Sequence, residues 1–113
     1  MNAYEQINCL QDIGIISGSK LTFYVDIVDE NGADVSLSNA SSYGCKVYYY
    51  GTKKDALTAT ASVDTSKASR MKVDISSSAT ADLGGKCLEY VPFVTINGET
   101  TKYGKGRIVV GIG

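Results

Sequence analysis

The side chains best equipped for chemistry in this sequence are the carboxylates Asp26, Asp29, Glu30 and Asp34, which crowd one stretch together with Asn31. Closely spaced hard oxygen donors are what a calcium loop needs. Their spacing departs from the D-x-[DN]-x-[DN]-G pattern, however, and no glutamate closes the loop. The stretch therefore reads as a solvated hairpin tip, and no metal ligand is assigned. The chain has no histidine, which removes every mechanism built on an imidazole base, the Ser-His-Asp and Cys-His arrangements included. "LGGK" at 83–86 and "GKG" at 104–106 share only glycine content with phosphate-cradling loops. Neither has the eight-residue loop form between a strand and a helix, and glycines at strand bends explain both. No catalytic residue and no cofactor is assigned.

The three cysteines, Cys9, Cys45 and Cys87, are an odd number with no CxxC spacing. Reduced thiols are the expectation, with Cys45 and Cys87 packing as small hydrophobes. The alternative is a disulfide from Cys45 to Cys87 across the core. Lys102, Lys105 and Arg107 form a small basic group. It reads either as an anion contact or as the charged edge of a last strand, and the edge is favoured. A formal net charge of −1 speaks against nucleic acid as a partner, since phosphate backbones call for a clustered excess of Lys and Arg.

The elements that carry these residues are strands. In "SGSKLTFYVDIVDENGADVSLS", Leu21, Phe23, Val25 and Ile27 fall on one face, and Thr22, Tyr24 and Asp26 on the other. That period of two marks a half-buried strand. "DENG" then reverses the chain, and Val35 and Leu37 follow in a short arm. The same alternation recurs in Cys45, Val47 and Tyr49, in Leu57, Ala59, Ala61 and Val63, and in Met71, Val73 and Ile75. "SSSATADLGGK" reads as a polar loop with one helical turn at 79–83. "KCLEYVPFVTI" is apolar on both faces, as a central strand covered on both sides would be, while Pro92 points to an edge or a bulge. Asn97-Gly98 is a hairpin signal. The last strand, 100–110, is interrupted by Gly104 and Gly106, which suggests a bulge there too.

With a weaker segment at 7–16, these make seven or eight short strands joined by frequent turns. The expectation is a single all-β domain, an antiparallel immunoglobulin-like β-sandwich. Residues 1–16 supply an amino-terminal arm and a first strand, and residues 17–113 form the sandwich. No stretch approaches 18 apolar residues, so no membrane span is expected. "MNAYEQINCL" lacks the basic and apolar regions of a signal peptide, which points to synthesis and retention in a cytoplasm, or to exit without a leader.

Eight tyrosines in a chain without Trp or His form a distinct signal. Tyr24, Tyr48 and Tyr50 sit on the polar sides of their strands. Tyr offers contact area at little rotamer cost, so one reading is an interface. The other is that Tyr is simply a good strand former covering its neighbours. "TATAS" at 58–62 carries no charge to blunt an edge, which adds Thr58 and Thr60 to the candidate interface.

The frame is a Gly followed by "LTF.V", a turn with Gly, "V.L..A", then "V.I" and a polar stretch ending at Gly. It is carried here by Gly18, Leu21 to Phe23, Val25, Gly32, Val35, Leu37, Ala40, Val73, Ile75 and Gly84. From Gly18 onward this resembles the small immunoglobulin-like domains of tailed-bacteriophage virion proteins: baseplate upper proteins, head fibres and capsid decoration proteins. The resemblance implies no catalytic residues. It implies a non-enzymatic virion structural protein, made in the host cytoplasm. Such a protein would be a capsid auxiliary subunit or a tail or baseplate component, held by contacts with other virion proteins in a homo- or hetero-oligomer. The second reading is a carbohydrate-binding or adhesion module with Tyr48 and Tyr50 as its platform, against which stand the missing Trp and export signal.

Overall fold

The structure, a computed structural model, describes residues 10–113. Cys9 and the arm at 1–6 lie outside the described residues. The fold is all-β. Nine strands are present among the described residues: β1 (Ile13–Ile16), β2 (Leu21–Asp26), β3 (Ser42–Tyr49), β4 (Asp55–Thr58), β5 (Thr60–Val63), β6 (Arg70–Ile75), β7 (Cys87–Ile96), β8 (Glu99–Lys102) and β9 (Gly106–Gly111). A one-turn helix, α1 (Ser77–Thr80), is the sole α-helix among them. Among the described residues no helix is long and apolar enough to cross a membrane.

Two sheets form. The larger runs β1-β9-β7-β3-β4 with β8 also on β7, and the smaller runs β2-β6-β5. The period of two in the sequence becomes the inward face of each sheet. Val25, Met71, Val73 and Ile75 come from the smaller sheet, and Cys45, Val47, Leu88, Tyr90, Val94, Ile108 and Val110 from the larger. All belong to one hydrophobic cluster, with Met71 and Val73 0% exposed. Full burial of such side chains stabilises by about 1.5–3 kcal/mol each.

Several features differ from the sequence expectation. The strand count is nine rather than seven or eight, partly because the run from Leu57 to Val63 is two strands in two different sheets. Alternation continues through the break because Leu57, Ala59, Ala61 and Val63 all pack on the same core from either side of it. Most ladders are antiparallel, but β1 runs parallel to β9, with Ile13 opposite Ile108 and Ile16 opposite Gly111. The last strand is consequently no edge at Arg107 and beyond. β1 covers it, and Leu10 N–H extends the cover by donating to the Lys105 carbonyl. Lys102 does lie on an edge, in β8, which pairs only with β7 among the described residues.

Pro92 sits in the middle of β7, at a discontinuity in the ladder. Phe93 pairs with Lys102 on β8, whereas Tyr90 pairs with Gly106 on β9, so the register shifts by one residue between them. Gly104 (φ +115°) lies in that bulge, and Tyr103 N–H donates to the Pro92 carbonyl. The bulge absorbs the proline as the sequence suggests. Asn97 and Gly98 both have positive φ, 53° and 81°, the geometry of a two-residue hairpin turn. β7 is central, with β3 on one side and β8 and β9 on the other. Among the described residues no second layer covers its outer face, where Val91 is 8% exposed. The helical turn begins at Ser77 rather than residue 79, because the Ser76 hydroxyl accepts from Ala79 N–H and caps it there.

Candidate functional site

The carboxylate cluster near residue 30 is dispersed by the fold. Asp29 caps its own turn, accepting from the N–H groups of Asn31 and Ala33, both at 2.9 Å. Asp26 points the other way, 2.8 Å from Arg70 Nε and 3.8 Å from Lys67 Nζ. The hydrogen bond and charge of Arg70 hold its carboxyl below the ordinary value of 3.8. No group of three or more Cys, Asp or Glu among the described residues is placed to share a metal ion. The glycine stretches serve the chain path: Gly85 N–H donates to the Val110 carbonyl, and Gly106 lies beneath the Tyr90 ring.

Cys45 and Cys87 are both free thiols. They lie on adjacent strands of one sheet, and Cys45 is opposite Pro92, five residues along β7 from Cys87. At about 3.3 Å per residue that separates them by roughly 16 Å, far beyond disulfide reach. The alternative of a bridge across the core is thereby excluded. Cys45 is buried, and burial pushes its thiol up to about 12.

What remains is a surface. The outer face of the larger sheet carries Tyr48 opposite Glu89, Lys46 opposite Val91, Gly44 opposite Phe93, and Lys102 on the far side of Phe93. Tyr50 and Val109, 52% and 47% exposed, continue it toward the β1 end. Gly44 is there because the Phe93 ring lies across it, so close that an added Cβ would sit 2.9 Å from ring carbons. A cross-strand aromatic over a glycine pins the ring flat on the sheet. Arg107 stacks 5.6 Å from the centre of the Tyr50 ring and reaches Asp12 at 3.5 Å. Lys105 approaches Glu89 at 3.9 Å. The three cations read as a group in the sequence are thus divided, with two of them partnered. Between Lys46 and Lys102 lies a groove of about 170 Å³, floored by Val91 and Phe93 and bounded by Tyr48 and Thr100.

The predicted interface residues fall on three parts of the molecule. Tyr48 and Tyr50 share this face. Tyr24, 54% exposed, is on the outer face of the smaller sheet, opposite Lys72 in the ladder, and so points away from them. Thr58 and Thr60 are exposed on either side of Ala59, where the chain changes sheets. Both β4 and β5 have a strand neighbour on one side only among the described residues. The β4 ladder covers only Lys46 to Tyr48 of β3, so the rest of β3 runs on with an open side. A second groove, about 260 Å³, opens there over Tyr43, Leu57, Ala59 and Ala61, and Phe93 lines it as well. Phe93 thereby joins face and edge. Sequence reasoning passed over it because it lay in a run apolar on both faces; a glycine inside a strand, Gly44, was the available signal.

No protein-family model matches the chain, and no curated protein matches it. Among solved structures it is similar to a nucleoside hydrolase-related hypothetical protein from Saccharophagus degradans that is associated with carbohydrate metabolism, at 18% identity and a TM-score of 0.36. That likeness covers 92% of this chain and 22% of the other. So distant a likeness carries no argument about activity.

Proposed function

We propose that this chain is a non-catalytic structural subunit of a tailed-phage virion, an immunoglobulin-like sandwich that works by binding neighbouring proteins. The strand order supports the fold reading. β2, β6 and β5 take the places of strands B, E and D of an immunoglobulin domain. β3, β7 and β9 take those of C, F and G, β4 extends that sheet as C′ does, and β1 joins it beside the last strand.

The observation that carries the functional reading is the open outer face of the larger sheet. Tyr48, Tyr50, Phe93 and Val109 lie on a sheet face with no second layer among the described residues, and Thr58 on β4 borders it. Aromatic residues held on a rigid sheet are the composition of contact surfaces. Four carboxylates are held in ion pairs: Asp26 and Asp64 with Arg70, Glu89 with Lys105, and Asp12 with Arg107.

The test is fractionation of particles from the producing cells. The wild-type protein is expected to co-sediment with capsids or tails. The Tyr48→Ser/Tyr50→Ser double variant, folded by circular dichroism, is expected to stay in the soluble fraction. Wild-type protein absent from particles would overturn the virion reading, and normal incorporation of the double variant would remove the tyrosines from it.

A further inference from the structure

We propose that the groove between Lys46 and Lys102 takes an extended acidic segment of a partner protein, one apolar side chain settling on Val91 and Phe93 while carboxylates on either side meet the two lysines. This rests on reading the face as an interaction surface, and it names the chemistry of the partner.

Charge is the first reason. Four cations occupy this face, and two of them are already neutralised, Lys105 by Glu89 and Arg107 by Asp12. Lys46 and Lys102 have no ion pair among the described residues, and both line the groove. Asp55, the carboxylate on the β4 flank opposite Tyr48, pairs with neither. Of the four cations on this face, the two left uncompensated are therefore the two that border its apolar depression. Two cations flanking a hydrophobic floor select an anion that also brings an apolar group.

Geometry sets the spacing. Lys46 is opposite Val91 and Lys102 opposite Phe93, on the two sides of β7. Two inter-strand steps of about 4.8 Å and two residues along the strand put their backbones roughly 12 Å apart. In an extended peptide, residues four apart point the same way and lie about 13 Å apart. A segment with acidic residues two before and two after an apolar one thus places all three on the groove. Single-stranded nucleic acid fits less well, because it asks for a track of cations along its backbone rather than a pair.

The experiment is titration of the full ¹⁵N-labelled chain with capped heptapeptides. The probe is Gly-Asp-Ser-Phe-Ser-Asp-Gly; its controls carry Asn or Lys in place of both Asp, or Gly in place of Phe, and octathymidylate is the nucleic-acid control. The acidic peptide is expected to move the amide resonances of Val91, Phe93, Thr100 and Lys102. Its affinity should fall several-fold between about 20 and about 300 mM salt, and the Asn and Gly controls should bind at least tenfold more weakly. Lys46→Glu/Lys102→Glu should lose the acidic peptide and gain the lysine one. Should that double variant fail to fold, the comparison of peptides on wild-type protein decides alone. Equal binding of acidic and neutral peptides, shifts confined to other residues, or stronger movement of the same amides by octathymidylate would each overturn the proposal. Groove binding without particle incorporation would sink only the virion reading; incorporation without groove binding would sink only this one.

Discussion

The Tyr90 hydroxyl donates to the Gln11 carbonyl at 2.6 Å, tying the segment that leads into β1 to the centre of the larger sheet. The same ring lies over Gly106 and packs 4.8 Å from Phe23 of the opposite sheet, so one side chain joins the first strand, the last strand and both layers. Burial pushes its phenol up to about 12, which keeps it a donor at any physiological pH. Tyr90→Phe keeps the ring and removes the tie. It should cost about 1 kcal/mol, seen as a melting temperature lower by a few degrees, with faster amide exchange in β1. Unchanged exchange at Ile13 to Ile16 would show that the bond does not hold the strand.

Gly106→Ala tests the other contact of that ring. A Cβ at this position would run into the Tyr90 ring, and relief requires either the ring or β9 to move. A loss of about 1–3 kcal/mol is expected in urea unfolding. A neutral result would mean that the ring is free to shift.

Thiol labelling should separate the two described cysteines. Cys45 is 6% exposed and its thiol is held neutral by burial, whereas Cys87 is half-buried on the outer face. Iodoacetamide on the native protein should modify Cys87 and leave Cys45 unmodified by peptide mass. In denaturant without reductant both should react.

The Asp26–Arg70 pair predicts an acid-dependent stability component. The folded carboxyl lies below 3.8, so its contribution is present above that value and disappears as the pH falls through the depressed folded one. Asp26→Asn should melt below wild type at pH 6, and the gap should close as the pH falls below the depressed folded value. Because the Asp26 side chain is 47% exposed, the gap should be small and shrink with salt. A gap that persists unchanged at low pH would point to packing rather than charge.

Much of the architecture was legible because period-two alternation is a direct image of half-buried strands. β2 and β6 could be read to within one or two residues at their ends, and the Asn97-Gly98 turn could be placed from positive φ values that Asn and Gly accept. The change of sheet at Ala59 was not legible. Alternation reports which side chains face the core and says nothing of which sheet supplies the backbone. The place of β1 beside β9 was equally hidden, since parallel pairing of the two ends leaves no local turn signal. For the candidate site, Tyr48 of β3 and Tyr50 just beyond it were visible as aromatics at polar positions. Lys46 and Phe93 entered only through cross-strand neighbours 47 residues apart in the chain.

The parallel pairing of β1 with β9 also decides how the protein meets mechanical load. Leu10 lies near the start of β9 and Ile16 near its end. Tension applied at Leu10 and Gly113 would draw the two strands in opposite directions along their length. The rungs from Ile13–Ile108 to Ile16–Gly111 would then be strained together in shear rather than opened one after another. A chain pulled between Leu10 and Gly113 would resist until the whole ladder slipped at once.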